Sequence, residues 1–541
     1  MIGSDQDAEW VVKRYDQLEG ERGTWESHWA EIAERVLPRY HNTMQRSTLN
    51  ITPGEKRTEK MFDATASLAL ERFAAAMESM LTPRNQKWHH LRSTNEDLNK
   101  VREVKLYFEE VNNRLFKERY SPKSNFASQQ HEVYIGLGAF GTSALFSDYH
   151  DGGGLRYKAI DLRELLFDMS HQGVVDTSYR KFVLTARQMQ QRVDAGRWDT
   201  IPEEATAALK EHPDKQFEII HCVRPNGEMD PARKDYKGKP YASTYVAVAA
   251  RTTLSRGGFN TFPYSVTRYV TGPGELYGRS PAMLALPAIK VLNEQKKTML
   301  KQGHRTVDPI LLSHDDGVLD GLSLKPGALN PGGVSAEGRA LVHTLPVGNL
   351  AAGQELMDME RTVINDAFLV TLFQILVDTP AMTATEVLER AREKGALLSP
   401  TMGRQQSEGQ GPQIERDIDL LQSQGRLPEM PDVLREADGE YEIQYDSPLS
   451  RSQRSEEAAG WLRTLEAAIA YANTTQDVSV LDQFDTDIIY PALAEINAVP
   501  ATWMRGQDAV DQMREQRAKQ QQTQQMIDAA PAAAGMMKAV Q

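Results

Sequence analysis

The run Gly136-Leu137-Gly138-Ala139-Phe140-Gly141 spells the GxGxxG pattern of dinucleotide-binding loops. Such a loop cradles phosphate only when a strand precedes it and a helix N-terminus follows. Here His131 to Ile135 reads as the end of a helix and Thr142 to Phe146 as a strand, so the pattern reads as a glycine-permitted helix-to-strand turn. His131-Glu132 lacks the second histidine of a zinc protease, and no Walker A sequence or GxSxG elbow is present. The acidic pairs Asp315-Asp316, Asp417 with Asp419, and Asp485 with Asp487 are the residue types that hold magnesium, but paired acids on loops and helix faces are usually solvated. They are the basis of the alternative reading, a metal-dependent nucleic-acid-processing enzyme. Cys222 has only His221 beside it, and in a strand those two side chains point to opposite faces. No catalytic, metal or cofactor-binding residue is therefore expected, and the chain does not read as an enzyme.

Trp25, Trp29, Trp88 and Phe73 are of the type that stacks on bases, yet they lie at helical spacing without basic residues between them and read as core. The 541 residues, 40% hydrophobic, are enough for two to four domains. A net charge of -13 argues against a protein whose main work is gripping nucleic acid, which needs clustered Lys and Arg. The single cysteine excludes an internal disulfide framework and reads as a buried small hydrophobe. The longest apolar run, Leu369 to Val377, is interrupted by Thr371 and Gln374, so no membrane partner is expected. Met1 to Asp7 is polar and acidic, unlike an export signal.

The elements that must position these residues read as α+β, mainly helical. Two helices separated near Gly20 to Gly23 are predicted from Trp10, Tyr15, Leu18, Trp25, Trp29, Ile32 and Val36; a third runs through Ala64, Leu68, Phe73 and Met77 to Pro83; a fourth covers Leu98 to Tyr120. Short β-branched runs at Leu155 to Phe167, Val174 to Leu184, Phe217 to Val223, Tyr241 to Leu254 and Tyr264 to Tyr269 predict a mixed sheet, with a short helix near Ala186 to Ala195.

Ser280-Pro281 supplies a capping residue and a proline at the first helical position, so a long helix should start there, with Ala285, Ile289, Leu292 and Met299 inward. Val307 to Asn349 is rich in Gly and Pro and reads as a small β and loop insertion. A second helix follows over about Ala351 to Phe373, with Leu356, Met359, Val363, Ala367 and Val370 on one face and Asp358, Arg361, Thr362 and Asn365 opposite. Lys290, Lys297, Lys301 and Arg305 on the first helix form either a solvated face or partners for Glu355, Asp358, Glu360 and Asp366 of the second helix in an adjacent subunit. Thr383-Ala384-Thr385-Glu386 is a capping box; Pro400 and Pro412 divide the helix that follows, and helices are predicted over Ser452 to Asn473 and Val478 to Leu493.

Several pieces, in their order and spacing, resemble the bacteriophage head-to-tail connecting proteins, the podovirus-type portals. They are Trp25-Glu26-Ser27-His28-Trp29, Leu81-Thr82-Pro83 with Trp88, Gly141-Thr142, Tyr277-Gly278-Arg279-Ser280-Pro281 with Leu286-Pro287 and Leu292-Asn293, Met382 to Val387, and Gly425-Arg426-Leu427-Pro428. The resemblance spans about Asp16 to Arg517. It implies a ring, usually a dodecamer, at one capsid vertex of the virion, assembled in the host cytoplasm. Through it DNA is packaged and ejected.

On that resemblance residues 1–271 form a wing, 272–306 and 350–373 two stem helices, and 307–349 a clip carrying Asp315, Asp316 and Lys325. A tunnel loop covers 374–382, a wing-crossing helix and return strand 383–446, a crown 447–528 and a disordered tail 529–541. The implied partners are other copies of the chain, the terminase large subunit, a tail adaptor, the major capsid and scaffolding proteins, and double-stranded DNA. The tunnel loop contains Asp378, Thr379, Pro380 and Met382 but no Lys or Arg, so a steric collar is expected rather than an electrostatic grip. Another ring-forming head-tail adaptor is the remaining alternative, although the chain is longer than such a module needs.

Overall fold

A computed structural model describes residues 3–40, 58, 61–150, 152–313, 321–346, 348–372, 401–437 and 439–446, and beyond them 448–475, 479, 484–496, 499, 503–506, 509–521 and 523. The class is α+β, with helix the larger share. The helices α1 (Gly3–Glu21) and α2 (Gly23–Arg35) meet at Arg22, as the glycines at 20 and 23 predict. Arg22 is buried and donates to the carbonyls of Leu162 and Leu165, each at 2.9 Å, so the corner between the helices is pinned to a distant loop. Then come α3 (Thr65–Leu81), β1 (His89–Ser93), α4 (Arg102–Arg119) and α5 (Phe126–Phe140).

The β region holds two antiparallel sheets where a mixed sheet was predicted. One has β2 (Thr142–Tyr149) between β3 (Leu155–Ile160) and β9 (Tyr264–Arg268). The other runs in sequence order through β4 (Leu165–Met169), β5 (Val175–Thr185), β6 (Gln216–Pro225), β7 (Tyr241–Ala247) and β8 (Thr252–Phe259). The stretch read as one run, Leu155 to Phe167, is two strands of different sheets. Asp161 breaks it, its carboxylate accepting from the Arg163 N–H at 3.0 Å in the local turn characteristic of aspartate.

The five-stranded sheet is covered on one face by α1 and on the other by α6 (Ala186–Asp194) and α7 (Glu203–Glu211). Strand alternation sorts β6 accordingly. Ile220 and Cys222 lie under Val11 and Tyr15, while Ile219 faces Met189 and Trp198. Burial in this apolar layer pushes the Cys222 thiol up to about 12, the behaviour of an inert core residue. His221 turns the other way, stacked on Tyr245 at 4.1 Å and bonded to Tyr264 and Ser243.

A second core joins α4, β1, β3 and the helix Gly411–Ser423. At its centre Arg119 donates through Nε and Nη2 to Asp417 at 3.0 and 2.7 Å, and through Nη1 to His89 at 2.8 Å. Both members of the ion pair have no solvent exposure. Burial raises the Asp417 carboxyl although Arg119 opposes it, and the Asp417 charge keeps Arg119 protonated against the same burial. Burial, then the neighbouring guanidinium, drives His89 well below its ordinary value, so its ring is the neutral acceptor. β1 pairs with β12 (Tyr441–Tyr445), which leads toward the helices Pro448–Thr475 and Thr486–Ile496. Among the described residues no helix is long and apolar enough to cross a membrane.

Replacing Arg119 by Leu leaves a buried carboxylate without its counter-charge and should cost about 3–5 kcal/mol, read as a lower urea midpoint. The double variant Arg119→Leu/Asp417→Leu should recover most of that loss; additive losses would contradict the pairing.

Candidate functional site: a helical hairpin aimed by a glycine junction

The long helix predicted from Ser280-Pro281 is α8 (Pro281–Val307). The Ser280 hydroxyl accepts from the Met283 N–H at 3.0 Å and donates to the Ala139 carbonyl at 2.8 Å, so the cap of α8 is also a tie to the end of α5. Immediately before it, the chain passes within backbone contact of Gly141. That residue closes α5 in the left-handed region, φ 75°, and a Cβ there would lie 2.3 Å from the Gly278 carbonyl oxygen. A Cβ on Gly278 would lie 2.2 Å from the Gly141 carbonyl oxygen. The Gly278 N–H donates to Thr142 Oγ1 at 2.8 Å, and the Tyr269 N–H to the Gly141 carbonyl at 2.8 Å. The last glycine of the GxGxxG run thus serves a backbone junction, with strand β2 following it.

From that root α8 runs out to the insertion, and α9 (Leu350–Ala367) returns beside it, antiparallel. A Cβ on Gly353 would meet the Met299 sulfur at 2.4 Å, so the helices lie close at their far end. Between them β10 (Leu311–Ser313) and β11 (Val342–Thr344) pair as a short ribbon, and most of the rest of the insertion is turn and loop, as its Gly and Pro content predicts. On α8 the inward residues Ala285, Ile289 and Leu292 are buried as predicted, and Met299 is partly buried.

On α9 most of the apolar face marked out by the sequence is turned to the outside. Leu356, Met359 and Val363 are 53, 66 and 52% exposed, and the buried stripe is Met357, Ile364 and Phe368, with Val370 beyond it. Both stripes are apolar, and docking against α3, where Phe368 meets Phe73 edge-on at 6.4 Å, selects between them. The helix also stops at Ala367, short of the predicted Phe373, because Leu369 takes a positive φ of 59°.

A polar clamp holds the hairpin to α3. Asn293 of α8 accepts through Oδ1 from the Phe62 and Asp63 N–H groups at 2.9 and 3.2 Å. Asp63 in turn caps α3 through the Thr65 N–H at 2.9 Å and pairs with Arg361 of α9 at 2.7 Å. Burial pushes the Asp63 carboxyl up, but the hydrogen bonds from Thr65 and Arg361 outweigh it and hold the group below the usual carboxylate range. Sequence reading missed this clamp. Asp63 two residues before the helix is a capping signal, but nothing in the chain announces a partner 298 residues away.

Of the predicted charges on α8, Lys290 pairs with Glu31 of α2 at 2.5 Å and Lys297 with Glu294 at 3.6 Å. Lys301 and Arg305 are exposed and make no ion pair with another described residue. On α9, Asp358 pairs with Arg361 at 2.8 Å and Asp366 accepts from Thr371 at 2.7 Å, while Glu355 is exposed and Glu360 partly so. No base of α8 meets an acid of α9 within the chain among these residues. Lys325 is exposed on a turn of the insertion. Asp315, Asp316, Asp378, Thr379, Pro380, Met382 and the helix predicted from Thr383 lie outside the described residues.

Of the acidic pairs expected to be solvated, Asp485 and Asp487 are exposed, Asp417 and Asp419 are drawn into ion pairs, and Asp315-Asp316 lies outside the described residues. Asp417 is the fully buried partner of Arg119, Asp419 binds Arg416 at 3.0 Å, and Asp487 binds Arg514. Asp417 escaped the sequence reading because a helix-face acid carries no sign of burial. Among the described residues no three His, Cys, Asp or Glu side chains converge on a possible metal position.

The family model described as bacteriophage head to tail connecting protein matches residues 8–504. The chain belongs to that family. It is 28% identical, over 98% of its length and 95% of the relative's, to the portal protein of Salmonella phage epsilon15. It is 29% identical, over 95% of its length and 92% of the relative's, to the probable portal protein of Bordetella phage BPP-1.

In this head-to-tail connecting protein several of the scattered pieces that carry the resemblance gather at the root of the hairpin. Tyr277 packs edge-on against Trp29 at 5.1 Å and beside Trp25 at 5.8 Å, and Arg279 lies over the Trp25 ring at 5.5 Å. Gly141-Thr142 touches Gly278, and Leu292-Asn293 lies at the clamp.

Gly278→Ala or Gly141→Ala should cost at least about 1–3 kcal/mol, since each forces backbone apart and the second also strains a left-handed residue. The check is urea unfolding, in which a midpoint within error of the parent would contradict the contact. Asp63, depressed in the folded state, contributes stability that is full above its unfolded value near pH 4 and is lost as pH falls through its folded value. The melting temperature of Asp63→Asn should therefore lie below the parent at pH 7, with the gap closing toward about pH 3.

Proposed function

We propose that copies of this chain close into a ring, twelve by the family resemblance, at one vertex of the virion capsid, with double-stranded DNA passing through its centre during packaging and ejection. In this reading the chain acts as a conduit and docking platform, and it needs neither a catalytic centre nor a cofactor. The α8–α9 hairpins stand side by side as the stem around the channel, and the insertion Val307 to Asn349 forms the clip. Residues 1–271 build most of the wing, and the helices after 447 the crown. The partners are further copies, the terminase large subunit on the clip side, the tail adaptor that succeeds it, and the major capsid and scaffolding proteins around the wing, all assembled in the host cytoplasm.

The observation that carries the reading is the hairpin itself. It is rigidly rooted, yet it leaves Leu284, Leu356, Met359 and Val363 between 52 and 76% exposed along its length. Apolar rows of this kind mark a surface that another chain covers, and a repeated contact between different faces closes into a ring. Lys301 and Arg305, which make no ion pair with another described residue, and the exposed Glu355 are placed to meet across the same boundary. A chain with a net charge of -13 offers phosphate few fixed counter-charges, so DNA slides instead of lodging.

Electron microscopy of the purified protein should reveal closed rings with a central hole. Leu356→Glu/Val363→Glu should reduce the ring fraction at least about tenfold while leaving the circular dichroism of the subunit unchanged. A strictly monomeric parent, or a variant that rings as well as the parent, would overturn the assignment.

A further inference from the structure

The helix described from residue 401 widens into a π-turn over Gln405–Gln410 before continuing as Gly411–Ser423. Pro412 gives a reason for the widening. A proline inside an α-helix lacks an N–H and presses on the carbonyl four residues back, and an extra residue in the turn relieves that pressure. The Gly411 N–H accordingly reaches back five residues to the Gln406 carbonyl.

A widened turn is costly unless its surroundings hold it, and here they are buried and mixed, apolar Val133 and Leu145 standing beside several amides and hydroxyls. Beside the turn lies a cavity of about 10 Å³ lined by Gln130, Gln405, Gln410, Gln413, Ser265 and Thr267, every one of them buried. Two of the amides are spoken for: Gln405 Nε2 donates to the Arg268 carbonyl at 2.9 Å, and Gln410 Nε2 to the Leu81 carbonyl at 2.8 Å. Gln413 is 2% exposed, and its Nε2 has no hydrogen-bond partner among the described residues. An amide left in that state is expensive, and native interiors resolve it with an internal bridging molecule when the space is polar and large enough.

We propose that this cavity is the binding site of one ordered water molecule, which bridges Gln413 to the amide and hydroxyl groups opposite it and holds the π-turn open. The volume admits one water and nothing larger, and the lining offers the two to four polar partners an internal water requires. No carboxylate lines the space, so a cation has nothing to neutralise it, and the unpartnered Gln413 N–H needs an acceptor. Water supplies an acceptor to that N–H and donors to the oxygens around it. The site also explains the glycine at 409, where a Cβ would press within 2.3 Å of the Thr267 methyl and drive the turn off the sheet that closes the cavity.

The test has two arms on the full-length protein. A map of the parent at water-resolving resolution should contain a peak within hydrogen-bond distance of Gln413 Nε2. Hydrogen exchange of the amides over 405–413 should then accelerate about tenfold in Gln413→Met, which keeps the side-chain length and removes the polar partner. An empty cavity in the parent map overturns the site, whatever the variant does. A peak together with unchanged or slower exchange in Gln413→Met overturns the role in holding the turn.

Discussion

Where residues 141 and 278 meet, neither backbone has room for one methyl group of the other, and the direction of the whole hairpin follows from that contact. The approach is reciprocal, each glycine's missing Cβ being replaced by the other's carbonyl. It is reinforced on both sides, by the Thr142 hydroxyl below and by the Ser280 cap above, which borrows its second partner from the end of α5. Helix α8 therefore starts as a continuation of a helix-to-sheet corner, with no linker between. A helix attached by a flexible segment would sample many directions; one that shares its cap with another element is aimed.

Further ties are made by arginines and are distant in sequence, two of them to carboxylates and one to backbone carbonyls. Arg361 reaches Asp63, Arg119 reaches Asp417, and Arg22 reaches the loop between β3 and β4. Each joins two parts of the chain that hydrophobic packing alone would leave free to slide. Because apolar surface is indifferent to direction, a core of leucine and phenylalanine tolerates several registers, whereas a carboxylate in the interior has one satisfactory place for its counter-charge. In a head-to-tail connecting protein, where small angular errors would be multiplied around an assembly, such ties set geometry more than they set stability.

The outer side of α9 follows the opposite logic. Its two apolar stripes compete for the same neighbours, and a single chain covers only one of them. The other row stays exposed, and among the described residues no base of α8 pairs with an acid of α9. Exposed apolar area on this scale is ordinarily hidden by association.

How much of this the chain announces depends on the range of the interaction concerned. Local rules were legible: the helix start at Ser280-Pro281, the short helix near Ala186, the break at Gly20 to Gly23, the loop-rich insertion, and the opposite facing of His221 and Cys222 all follow from capping, chain freedom and strand alternation. The helix-to-strand turn was legible too, but only Gly141 makes it, since α5 runs on past Ile135 through Gly136 and Gly138 to Phe140. What the sequence could not settle was every choice between equivalent local solutions. Which apolar stripe of α9 turns inward, and that Asp417 is buried while Glu415 two residues before it is exposed, are decided by α3 and Arg119 far away in the chain, and whether Leu155 to Phe167 is one strand or two depends on which sheet each half joins. Periodicity reports that a face is apolar, but only the packed molecule says against what, because that is a property of two surfaces and the sequence displays them one at a time.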